Sequence, residues 1–131
     1  MFNTSDTILI LGTSKGLKIV NTGSILRIQA VSNYCKIFFA DGKSLVVAKL
    51  LSWFEEKLTH FHFARLHRGH LVNMKHIQWY DNLTGTEVVL SNNERLTVSR
   101  RKRIEFRKVI GQYCIDGSIR LSALHTDTPG L

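Results

Sequence analysis

Between Ile8 and Val98 the apolar residues come in short runs, each closed by a cluster of Gly, Asn, Asp or Ser. Runs of that length bury one face as β-strands and are too short for independent helices, so the chain has to fold as a set of small sheets. Thr7–Leu11 and Leu17–Val20 flank Gly12-Thr13-Ser14-Lys15-Gly16 and predict a hairpin. Ile25–Ala30 predicts a third strand. Tyr34–Phe39 and Leu45–Val47 flank Asp41-Gly42, a pair that favours the positive φ of a tight turn. Further strands are expected at Phe61–Leu66, Leu71–Asn73, Ile77–Tyr80, Glu87–Leu90 and Arg95–Val98, the last two joined by Ser91-Asn92-Asn93-Glu94.

The period changes in two places. Leu50, Leu51, Phe54 and Leu58 recur at helical spacing and predict an amphipathic helix over Ala48–Leu58. A second short helix is expected after Ser99 as N-cap, ending near Gly111. Residues 1–113 are then one domain with its core at 7–111, and 114–131 read as a tail. At 131 residues the chain is long enough to bury a core, and its one proline, Pro129, marks no internal linker.

Charge narrows the function. Lys and Arg total 18 against 10 acids, a formal +8. Ten of those cations and only four of the acids fall between His60 and Lys108. A concentrated excess of this kind attracts polyanions, nucleic acid first. Cys35 and Cys114 form neither a CxxC pattern nor a disulfide framework, and no apolar run reaches the ~20 residues that span a bilayer. The expectation is a cytoplasmic protein. No GxSxG, P-loop, HExxH or GxGxxG motif is present and the carboxylates are scattered, so no enzyme is expected.

Three segments carry binding chemistry. In Ser99-Arg100-Arg101-Lys102-Arg103, four cations follow a helix cap, where stability alone would favour acids; a phosphate there would share the guanidinium forks and the helix N–H groups. In Arg65-Leu66-His67-Arg68-Gly69-His70-Leu71-Val72-Asn73, Leu66, Leu71 and Val72 anchor a polar insert. Its Arg68 suits guanine or phosphate, and Gly69 permits close backbone approach. Ser32-Asn33-Tyr34-Cys35-Lys36 opens a strand with groups suited to base edges and phosphates. His60, His62, His67 and His70 invite a metal reading, but the fragments lack a third ligand at familiar spacing, and no metal or other cofactor is expected. Protonation of His67 or His70 near pH ~6.5, raising affinity for phosphate, is the role expected instead. An RNA-binding basic β-protein and a protein-interaction or metal-responsive module are the alternatives; the first would want a face of exposed aromatics, and no such motif is readable.

Taken in order, these segments resemble the LytTR family of bacterial transcription regulators. The resemblance runs through Ile25–Ala30, Ser32-Asn33-Tyr34, Phe54–Leu58, the phrase Phe63–Asn73 and Leu96-Thr97-Val98-Ser99-Arg100-Arg101, and covers about Thr7 to Gly111. It implies an elongated, mainly β arrangement of small antiparallel sheets with one or two short helices. It also implies that loops enter successive major grooves of double-stranded promoter DNA, and the minor groove between them, at repeated half-sites, with a second copy alongside. By position, Asn33 and Tyr34 fall in the first DNA-contacting loop, His67, Arg68, Gly69 and His70 in the second, and Arg100 and Arg101 in the last. Lys36 and Lys102 add charge for phosphate, while Arg65 and Asn73 look like scaffold. The family often has Ser where Gly69 stands, so a hydroxyl is missing from the second loop. Members of the family usually follow a receiver domain; only 24 residues precede Ile25 here.

Overall fold

The computed structural model describes residues 8–115, and it is built from three antiparallel sheets and two helices. Strands β1 (Ile8–Thr13) and β2 (Gly16–Asn21) pair as a free-standing hairpin. The main sheet contains β3 (Ile25–Val31), β4 (Tyr34–Phe39), β5 (Ser44–Val47), β6 (Phe63–His67) and β7 (His70–Asn73) in the order β5-β4-β3-β7-β6. A third sheet, in the order β10-β9-β8, contains β8 (Ile77–Tyr80), β9 (Glu87–Leu90) and β10 (Arg95–Thr97). Helix α1 (Leu51–Leu58) interrupts the main sheet, and α2 (Arg103–Ile115) follows the third.

The main sheet is covered on both faces, because side chains alternate along a strand and each face finds its own partner. On one side Ile25, Ile28, Ile37 and Leu71 pack with Leu9, Leu11 and Val20 of the hairpin and with Leu51, Phe54 and Leu58 of α1. On the other, Leu26, Ala64, Leu66 and Val72 meet Val88 and Leu90 of the third sheet and Phe106 and Ile110 of α2. Bulges tune this alternation. In the β3–β4 ladder Ile25 opposes Phe39 while Arg27 opposes Phe38, so Leu26 is the extra residue. Ile25 and Ile28, three apart, can therefore share one core while Leu26 enters the other. A like shift at Leu66 bends β6 just before its turn into β7.

Several boundaries differ from the sequence reading. The hairpin turn needs only Ser14-Lys15, since Thr13 and Gly16 are paired; Gly16 takes φ +130°. Helix α1 starts at Leu51, not Ala48: Leu50 has an extended backbone (ψ 153°) and is 61% exposed. Thr59–Phe61 form a 3-10 turn closed by His62 in the left-handed region (φ 66°), so β6 begins only at Phe63 and neither His60 nor His62 lies in a strand. Helix α2 starts at Arg103, after a 3-10 turn over Arg100–Lys102, and runs past Gly111 to Ile115. The Ser99 side chain makes no capping hydrogen bond; the turn is closed by the Lys102 N–H on the Ser99 carbonyl (2.9 Å). Most of the anticipated tail lies outside the described residues. Among the described residues, no helix is long and apolar enough to cross a membrane.

Candidate nucleic-acid interface

Two backbone hydrogen bonds gather the three basic segments at one end of the molecule. The β3–β4 turn is Ser32-Asn33, with Ser32 at φ 54°, the positive φ that suits a two-residue hairpin. Beside it, the Ala30 N–H donates to the Gly69 carbonyl (2.9 Å), tying the end of β3 to the β6–β7 turn, Arg68-Gly69. On the far side of that turn the Ser99 N–H donates to the Leu66 carbonyl (2.9 Å), which sets the Arg100–Lys102 turn against the end of β6. Asn33 and Tyr34, then Arg68, then Arg100 and Arg101 follow one another across this end, all exposed.

Two residues of the phrase Phe63–Asn73 are built to hold these loops rather than to reach outward. Arg65 donates from Nε to the His67 carbonyl (2.9 Å) and from Nη2 to the Arg68 carbonyl (2.6 Å), while Nη1 pairs with Glu55 of α1 (2.6 Å). Asn73, buried, donates to the carbonyls of Ile25 (2.9 Å) and Thr22 (3.3 Å) and accepts from the Lys75 N–H (3.0 Å). It thereby fixes the approach to β3 against the exit from β7. Both residues have the scaffold geometry that the resemblance implies.

Register places Lys36, Gln29, His70 and His67 in one row across β4, β3, β7 and β6. Behind the row lies Arg27, buried, its Cζ 3.8 Å from the centroid of the Phe38 ring. Arg27 clasps both oxygens of Glu94, from the β9–β10 loop, at 3.0 and 3.1 Å. Its Nη1 also meets Gln29 Oε1 and His70 Nε2, each at 3.0 Å. Arg27 and Glu94 thus join the main sheet to the third one. Nothing in the sequence marks that pair, because 67 positions separate them and only strand register brings them together.

The two histidines form a chain of contacts with a proton too many. The Gly69 N–H donates to His67 Nδ1 (3.0 Å), His67 Nε2 meets His70 Nδ1 (2.9 Å), and His70 Nε2 meets Arg27. Gly69 and Arg27 are donors at both ends, so the chain has room for one proton, between the rings, whereas two neutral imidazoles carry two. A third proton would set yet another donor against a donor. Burial, then Arg27 and His67, push the His70 pKa down to about 4, outweighing Glu94; burial and Arg65 lower that of His67. Both shifts run against the expectation that either ring gains charge near pH ~6.5. His60 and His62 stand before β6 and the other pair at its far end, His62 against the Tyr113 ring (5.0 Å between centroids).

Gly69 has little room for a side chain. A Cβ at that position would come within 3.2 Å of the His67 ring, whose Nδ1 the Gly69 amide engages. Lys102 sits 3.8 Å from Glu105 in the first turn of α2, and Lys36 lies 5.2 Å from the Phe38 ring centroid. By contrast, among the described residues the side chains of Arg68, Arg100 and Arg101 have no hydrogen bond or ion pair, and each stands in water. Three of the four cations, Arg100–Lys102, stand on the turn ahead of α2 and Arg103 opens the helix, so most of the charge of the run projects from a loop.

The description of the LytTr DNA-binding domain matches residues 15–111 of the chain. Among solved structures, the chain is similar to the LytTr DNA-binding domain of a Bacillus cereus protein described as a methyl-accepting/DNA response regulator. The two are 26% identical with a TM-score of 0.68, over 80% of this chain and 97% of the other. No curated protein matches it.

Proposed function

The chain belongs to the LytTR family of DNA-binding domains of transcription regulators, and from that premise we propose that it reads a promoter site with three loops set side by side. The β3–β4 loop, with Asn33 and Tyr34, and the Arg100–Arg101 turn enter successive grooves on either side of the β6–β7 loop. Arg68 and Arg100 read base edges, for which a free planar fork is suited. Lys36, Arg101 and Lys102 contact phosphate, and Lys102 exchanges Glu105 for it. His67 and His70 act as neutral rings that shape the second loop around Gly69. The site contains repeated half-sites, each taken by one copy.

The observation that carries this reading is the pair of amide ties, Ala30 to Gly69 and Ser99 to Leu66, which hold unpartnered arginines from separate sheets at one end. Competition among duplex DNA, single-stranded DNA and structured RNA tests it. Duplex should compete best, and log K should fall with log salt by roughly 0.9 for each phosphate neutralised. Preference for structured RNA, or tight binding with a slope near zero, would reject the reading.

A further inference from the structure

The β1–β2 hairpin stands apart from the main sheet, because its ladder is not continued onto the outer edge of β5. Its tip leaves a groove of about 800 Å³ between Thr13–Lys18 on one wall and Tyr34 with the end of β5 on the other. Tyr34 is half-exposed and belongs to the first of the three loops, so the groove opens directly beside the surface assigned to DNA. Cys35 opposes Val47 in the β4–β5 ladder, which fixes the groove's far wall at the same end of the sheet as the Ser32-Asn33 turn.

The groove is electrically one-sided. Lys15 and Lys18 line it, and no carboxylate does. Farther down the hairpin, a second groove against β5 also has Lys18 on its wall, with Lys43, but Asp41 stands there too, so the groove without a carboxylate is the one at the tip. The tip is also held in shape: Thr13 Oγ1 donates to the Gly16 carbonyl (2.8 Å) and accepts from the Lys15 N–H (3.2 Å). That leaves the Ser14 hydroxyl and the ammonium groups of Lys15, in the turn, and Lys18, in β2, as exposed polar groups of the tip.

We infer that this tip is a fourth DNA contact, in which Lys15, Lys18 and the Ser14 hydroxyl grip the phosphate backbone of the same duplex just outside the β3–β4 loop. The inference rests on the proposed three-loop reading and extends its footprint on one flank only. Contacts of this kind carry no sequence information, so they should act alike on every duplex.

The test compares the parent protein with Lys15→Ala/Lys18→Ala on a bound fragment selected from genomic DNA and on a random duplex of equal length. The double variant should lower the steepness of log K against log salt by roughly 0.9 for each lysine, equally on both duplexes. In a hydroxyl-radical footprint it should lose protection at one flank while the inner protections persist, and Lys15→Arg/Lys18→Arg should restore both readouts. An unchanged slope with an unchanged footprint, while Arg68→Ala and Arg100→Ala still weaken binding, would overturn the fourth contact and leave the three-loop reading standing. No duplex binding by the parent protein would overturn both.

Discussion

Arg65 directs all three of its guanidinium nitrogens at its own fold, to Glu55 and to the His67 and Arg68 carbonyls, whereas Arg68 directs none. This contrast separates residues that build the loops from residues that use them. Arg68→Ala and Arg100→Ala should each cost about 1–3 kcal/mol of binding and relax preference at particular base pairs, if the arginines read base edges. Lys102→Ala should weaken specific and random duplex alike. None of the three removes a buried contact, so the melting temperature should hardly move. Arg65→Ala should lower it, since two turn carbonyls lose their donor. Binding isotherms on matched, mismatched and random duplexes, run beside melting curves, check the division; equal losses on all duplexes for all three exposed cations would reject it.

At the scale of elements, the link between the main sheet and the third is polar where Arg27 and Glu94 bridge it, and its neighbours make it sensitive to acid. His70, held down to about 4, stays neutral in the fold at a pH where the unfolded chain, with an ordinary value of ~6.5, already takes up a proton. From about pH 6.5 down to about 4 the unfolded state thus binds more protons, and stability falls; above that window both states are neutral and the contribution is constant. The Glu94 carboxyl, held below its ordinary value chiefly by its hydrogen bonds from Arg27, adds a loss in the same direction at lower pH. The melting temperature should drop between pH 7 and pH 4.5, and His70→Gln should flatten the drop. A melting temperature indifferent to pH over that range would contradict the proton chain. DNA affinity should not rise between pH 8 and pH 6.

Elements bounded by strong turn residues were the readable ones: Tyr34–Phe39, Ile77–Tyr80 and Glu87–Leu90 have the limits their flanking turns suggest. Leu50 misled because it fits the helical period yet faces water. The bulges at Leu26 and Leu66 have no local signature, since a bulge is a property of two strands together. The same holds for the site. Each loop was visible as a basic insert between apolar anchors, but their convergence depends on amides of Ala30 and Ser99 bonding across strands. Lys15 and Lys18 went unremarked because only the packing of the hairpin beside β5 brings them to Tyr34.

For the whole molecule, one end is basic and loop-built while two cores share the sheet behind it. A single copy should cover only a short stretch of duplex, which is why two copies on repeated half-sites are proposed. If they sit on one face of the helix, their centres are a whole number of turns apart, about 10–10.5 base pairs per turn. Inserting five base pairs between half-sites should remove cooperative double occupancy and spare single occupancy, as read by a mobility-shift titration; undiminished cooperativity would mean the copies do not touch.

The loops are joined to one another through main-chain groups, Ala30 to Gly69 and Leu66 to Ser99, and not through the side chains at their tips. Any residue type but proline supplies the same amide. The exposed side chains of Arg68, Arg100 and Arg101 can therefore be exchanged without disturbing where the tips stand. A lineage, or an engineer, can retarget such a domain one letter at a time, with each new side chain tried in a frame that does not notice the change.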